Sequence, residues 1–161
     1  MIVLGVDIGL TGAIAAVDSA GTCSVHDLPT KAIGGNRQVG RCLDARGLIM
    51  IVREIVRPGV AAMAVIENLH AGIGPGKTAR ASLMHSTGVV EAVLAIARID
   101  TVVVSPVAWK RWHGLLRAPK NEGRLKAIAL FPVVTAQLMR KKDHNRADAL
   151  LLAEYGQKTL R

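Results

Sequence analysis

The chain opens on a short apolar run, Ile2 to Val6, that ends abruptly on a carboxylate, Asp7. A run of this kind, with no polar alternation, reads as a strand covered on both faces and therefore central in a sheet. Burying a carboxylate at the end of such a strand is costly unless a cation or hydrogen-bond donors meet it. Gly9 and Gly12 leave open backbone around the acid, and Ala13 to Val17 resumes a strand. Asp18 to Gly21 is a turn signal, with a third short strand at Cys23 to His26. The local expectation is a meander of three strands with one acidic group at its edge. Asp7 could equally do no more than cap the glycine-rich turn.

A second strand repeats the pattern. Leu28 to Arg41, with Pro29, Gly34, Gly35 and Gly40, reads as a mobile loop. Asp44 is placed to N-cap a helix that Pro58 and Gly59 stop. Val60 to Ile66 is then a buried strand that ends on Glu67. The segment after it, residues 71–78, fits a loose phosphate-loop pattern through Gly76, Lys77 and Thr78. Pro75 removes an amide donor there, and the next strand, Thr101 to Val104, ends on Ser105 instead of a magnesium-holding acid. A flexible loop without a nucleotide cofactor is the expectation. The helix from Ala79 to Arg98 is apolar almost all round, which suits a buried central helix or a partner helix in a dimer. Pro106 starts a short helix with Trp109, Lys110, Arg111 and Trp112; a loop with Arg117 and Lys120 follows, then a helix to Phe131 and Pro132. Residues 140–148 lead into a last amphipathic helix, with Asp143 or His144 near its start.

Charge narrows the class of partner. The formal net charge is +9, and the second half carries most of it: 13 Lys/Arg against 6 Asp/Glu in residues 81–161, compared with 8 against 6 in residues 1–80. A polarised basic surface suits a polyanion. Only four aromatic residues are present, too few for a base-stacking platform, so the backbone of a nucleic acid is what such a surface would grip. No apolar run approaches the ~20 residues needed to cross a bilayer, so no membrane association is expected. Cys23 and Cys42 have neither metal-ligand spacing nor a disulfide framework, which suits reduced thiols in a cytoplasmic protein. At 161 residues the chain is read as one domain, residues 1–161.

The order of elements is three meandering strands, helix, strand, long helix, strand, then helices. That is the ribonuclease H-like arrangement, an α/β fold with a mixed five-stranded sheet flanked by helices. It brings together carboxylates from strand one, strand four and a C-terminal helix, here Asp7, Glu67, and the pair Asp143 and Asp148. Oxygen ligands of this kind suit magnesium, and two such ions can hold the attacking and leaving oxygens of a phosphodiester.

Four segments, VDIGLTGA, VIENLHA, SPVAWKRWHGL and KKDHNRADALLLAEYG, stand in this order along nearly the whole chain. With them the sequence resembles the RuvC-like Holliday junction resolvases, particularly the phage-type and chloroplast-type branches. The resemblance implies a homodimeric nuclease of bacterial, phage-infected or organellar setting that nicks opposed strands of four-way junction DNA. It would use two magnesium ions per active site, with manganese as a substitute. Asp7, Glu67 and Asp148 match the family's metal-binding acids. Where bacterial members place an acid or histidine three residues before the last acid, this chain has Asn145. In one regular helix His144 would share the face of Asp148; if the helix starts at His144 or Asn145, Asp143 sits on the entering loop and can swing toward the metals. Asp143 is taken as the fourth ligand, with His144 as its rival and a simple N-cap role for Asp143 as a third reading. Lys110 and Lys120 match lysines that would stabilise transition-state charge. His70 stands where bacterial members carry an aromatic wedge, and Lys77, Arg80, Arg111, Arg117 and Lys141 are expected DNA contacts. Trp109 is expected in the core.

Two other classes share the core. A YqgF-type relative would keep the acids and act on RNA. A sugar-kinase or heat-shock ATPase relative also opens with Asp-x-Gly-x-Thr but needs two such domains.

Overall fold

The computed structural model describes residues 1–34, 40–68, 76–119 and 121–160. Five strands form the main sheet: β1 (Ile2–Asp7), β2 (Ala13–Asp18), β3 (Cys23–Asp27), β6 (Ala62–Glu67) and β7 (Asp100–Val104), in the order β3-β2-β1-β6-β7. The meander β1-β2-β3 is antiparallel, whereas β6 runs parallel to β1 and β7 parallel to β6. The mixed five-stranded sheet flanked by helices is the one the element order predicts.

One segment departs from expectation. The stretch after Leu28 holds two strands, β4 (Thr30–Ile33) and β5 (Gly40–Leu43), paired as a separate two-stranded ribbon where a loop is expected. Glycine-rich composition concealed it, because a largely exposed ribbon leaves no buried face to impose alternation. The helix α1 (Ala45–Ile55) follows, and the Asp44 side chain accepts from the Arg46 amide at its N-terminus, as expected.

Period-two geometry sorts the strands between two cores. Leu4, Val6, Ala64 and Ile66 face α1 and the long helix α2 (Lys77–Ile96). Val3 and Val65 face the other way, toward Trp109 and the last helix, α5 (His144–Thr159). Asp7 and Glu67 continue the Val3 and Val65 registers, so both carboxylates end up on the α5 face. That helix comes unusually close. A methyl group added at Gly5 would stand 2.1 Å from the Ala149 carbonyl oxygen, and one at Gly156 would stand 2.5 Å from a Val65 methyl. These two glycines let α5 lie directly on the middle of the sheet.

Of the two expectations for the long helix, the fully buried central helix is not the one found. Ser86, Val90, Val93 and Leu94 are buried, but Met84, Gly88, Ala92, Ala95 and Ile96 are exposed. It covers one side of the sheet and leaves an apolar, small-residue face outward. Beyond β7, α3 (Pro106–Trp112) and α4 (Glu122–Leu130) pack on the α5 side. His113, at the end of α3, donates from Nε2 to the Leu151 carbonyl at 2.9 Å, tying α3 to α5. Among the described residues, no helix is long and apolar enough to cross a membrane.

Candidate metal and nucleic-acid site

Asp7 and Glu67 terminate adjacent parallel strands at the centre of the sheet, where no further strand residue shields them. Asp148 arrives from the second turn of α5. Asp7 feels both neighbours: burial, then the charges of Asp148 and Glu67, push the Asp7 carboxyl up from 3.8 to about 7, while Lys110 opposes the rise. The turn after Asp7 is tight at Gly12, where an added methyl would stand 2.1 Å from the Asp7 carbonyl oxygen.

Trp109 is fully buried, as expected of a core residue, and it also reaches the site. Its indole Nε1 donates to Glu67 Oε2 at 3.1 Å. Lys110, the next residue, lies 5.1 Å from the Trp109 ring centre. A cavity of about 250 Å³ is lined by Trp109, Lys110, Arg117, His144 and Asp148, among others. The Asp148 carboxylate, the Lys110 ammonium and the Arg117 guanidinium therefore line one pocket beside Asp7 and Glu67.

The first turn of α5 separates Asp143 from His144. The helix does begin at His144, but the Asp143 carboxylate is not directed into the acidic group. Its Oδ2 accepts the Arg140 amide at 2.8 Å, and Oδ1 accepts from Arg140 Nη2 at 2.8 Å, with Arg146 Nη1 at 4.0 Å. Arg140 holds the Asp143 carboxyl below its ordinary range. Asp143 makes no side-chain cap on α5 either. Arg146 in turn donates through Nε and Nη2 to Asp27 at 2.6 Å each, pinning the start of α5 to the end of β3. His144, four residues before Asp148 on a regular helix, lines the same cavity as Asp148, and its Nδ1 donates to the Lys141 carbonyl at 3.2 Å. Asn145 donates to the Thr11 carbonyl and hydroxyl oxygens, fixing the β1–β2 turn beside Asp7.

The remaining sequence candidates spread outward. Arg117 lines the Asp148 cavity, and Lys141 lines a neighbouring one with Asn121, Arg124 and His144. Arg80 and Arg111 are exposed on α2 and α3. His70, Lys120 and the Lys77 side chain lie outside the described residues, as do residues 71–75 of the phosphate-loop-like segment. Sequence reasoning missed the Trp109–Glu67 hydrogen bond and the Asp27–Arg146–Asp143–Arg140 chain. An Arg three residues before and another three after Asp143 was the available signal.

Oxygen donors, mutual repulsion and a raised Asp7 pKa make a set that a hard divalent cation would satisfy. Among the described residues no three His, Cys, Asp or Glu side chains are gathered tightly enough to enclose an ion, so the fit rests on donor chemistry and charge.

The sheet order, the direction of each strand and the carboxylates at the ends of its central strands define a ribonuclease H-like fold with an acidic site. The chain superposes on RuvC of Thermus thermophilus in complex with a Holliday junction substrate, with a TM-score of 0.59 and 14% identity over 95% of this chain and 90% of that one. A second Thermus thermophilus RuvC structure gives 0.51 and 16% over 95% and 91%. At these identities the likeness is one of fold. No family model matches the sequence, and no curated protein matches it.

Proposed function

We propose that this protein is a divalent-metal-dependent endonuclease that cuts four-way DNA junctions by paired symmetric nicks. The observation that carries the reading is the meeting of Asp7, Glu67 and Asp148 on one face of a ribonuclease H-like sheet, beside Lys110 and within a basic half of the chain. Asp7 and Asp148 would hold magnesium or manganese, two ions per site, with Glu67 oriented by the Trp109 indole. A metal held by these carboxylates would supply Lewis-acid stabilisation of the charge that develops on a phosphodiester. Lys110 is placed to offset phosphate charge that grows in the transition state. We assign the fourth ligand position to His144, because it shares a cavity with Asp148 and its Nδ1 is engaged by a carbonyl, leaving Nε2 as the coordinating nitrogen. Asp143 then orders the first turn of α5.

Two opposed strands need two sites related by a two-fold axis, and a homodimer supplies them most simply. The outward face of α2 with Val103 of edge strand β7, more than half exposed, is the surface we assign to the second copy. A charge at buried Val93 would break the core, so assembly is read at Ala92. Ala92→Glu should sediment as a monomer with native circular dichroism and nick only one strand per junction. A folded Ala92→Glu dimer would place the interface elsewhere.

The functional reading is tested with a four-way junction labelled on both opposed strands. Magnesium should produce nicks in both and a chelator none, whereas Asp148→Asn and Lys110→Ala should bind the junction and fail to cut. Cutting that persists in Asp148→Asn would remove the acids from the mechanism.

A further inference from the structure

A second groove lies on the far side of His144 from the acids' pocket. It is about 510 Å³ in volume, and its floor is the turn Leu10 to Gly12 that leaves Asp7. Thr30 of the β4–β5 ribbon forms part of one wall, and Lys142, Asn145 and Arg146 part of the other. Among the described residues, none of the DNA contacts expected from the sequence lines it.

Three observations say what it would hold. First, it is continuous with the acidic site: His144 lines this groove, the Asp148 cavity and the cavity containing Lys141. Second, its acids are already neutralised. Asp27 is paired with Arg146 and Asp143 with Arg140, so neither presents an unmatched negative charge. Lys142 is exposed and makes no ion pair among the described residues. Arg41 does not itself line the groove; it stands beside it, on the same face of the ribbon as Thr30 by the register Thr30 with Leu43 and Ala32 with Arg41, and donates to the Thr30 carbonyl and hydroxyl. Third, the groove is built in advance, since Asn145 ties its wall to Thr11 on the floor at 2.6 Å.

From this arrangement we propose that the groove binds the sugar-phosphate backbone of the nucleic-acid strand on one side of the phosphate held at Asp7 and Asp148, gripped by Lys142 and Arg41. This rests on the nuclease reading above. An open trough with an unpaired lysine in its lining and Arg41 beside it, sharing His144 with the Asp148 cavity, suits a continuous strand. A closed nest of amides would instead suit a free anion.

The test is junction binding in chelator, where no cutting occurs, measured across a series of salt concentrations. The proteins are wild type, Lys142→Ala, Arg41→Ala, and Lys158→Ala as an exposed control at the other end of α5. Removing one cation that meets a phosphate should reduce the slope of log K against log salt by about one, with about tenfold weaker binding at low salt. Lys142→Ala and Arg41→Ala should show this change, and Lys158→Ala should not. A set of junctions with one neutral methylphosphonate at successive positions then locates the phosphate that is gripped. The substitution that weakens wild type on one side of the cut should have no further effect on Lys142→Ala. Wild-type slopes for both Lys142→Ala and Arg41→Ala, with the junction still bound, would overturn the groove proposal and leave the nuclease reading intact. Failure of wild type itself to bind the junction would overturn the nuclease reading and the groove with it.

Discussion

Replacing Asp7 with Asn should abolish cleavage and, in metal-free buffer at pH 8, make the protein more stable than wild type. The first effect follows from losing a carboxylate at the centre of the acidic group. The second follows from linkage. The Asp7 carboxyl titrates at about 7 in the fold against an ordinary value of 3.8, because it is buried beside Asp148 and Glu67. An acid raised in this way holds its proton more tightly when folded. Its stabilising contribution is complete below about pH 4 and is lost as the pH rises through about 7. At 1.36 kcal/mol per pH unit the whole displacement corresponds to roughly 4 kcal/mol. For a chain of this size that is a gain of roughly 8–16 °C in melting temperature for Asp7→Asn at pH 8. The difference should vanish near pH 4. Millimolar magnesium should reverse the order, raising the melting temperature of wild type and leaving Asp7→Asn unmoved. Thermal melts at two pH values, with and without magnesium, check all of this. Equal stability of the two proteins at pH 8 would mean that Asp7 is not held against its neighbours' charge.

Exchanging the roles first expected of Asp143 and His144 gives the second large effect. His144→Ala should keep the native melting temperature in metal-free buffer and lose cleavage on the order of 10²-fold, the scale of losing an oriented catalytic group. Raising the magnesium concentration should recover part of it, as for a weakened ligand. Asp143→Asn should do the opposite. It breaks the charge-assisted hydrogen bonds from Arg140, costing about 1–3 kcal/mol of stability, while the magnesium concentration needed for half-maximal cutting stays near that of wild type. A large shift in that requirement for Asp143→Asn, with none for His144→Ala, would return the fourth ligand to Asp143.

These two residues also show where sequence reading reaches its limit. Asp7 and Glu67 were legible because a carboxylate that ends a continuous apolar strand is a local conflict visible in one dimension. Their common face follows from period two, and the strand order follows from element lengths. The fate of Asp143 depends on a rotamer choice between an ion and the guanidinium of Arg140. Helix phase cannot decide that choice. The β4–β5 ribbon escaped because Gly34, Gly35 and Gly40 mark a turn as readily as a loop, and neither face of the ribbon is fully buried. Trp109 was legible as core by size alone, whereas its hydrogen bond to Glu67 spans 42 residues and has no local signature. The long helix could be read as buried within the chain or as a partner helix in a dimer, because Ala and Gly count as apolar in either setting. On its outer face Gly88, Ala92 and Ala95 stay exposed within this chain.

The most direct measurement of the central claim is one incubation of wild-type protein with equimolar, separately labelled four-way junction, linear duplex and RNA–DNA hybrid, with and without magnesium. The account predicts nicks in two opposed strands of the junction, little cutting of the duplex or the hybrid, and no cutting without the metal. Preferential cutting of the hybrid, or cutting of the junction that survives chelation, would contradict it.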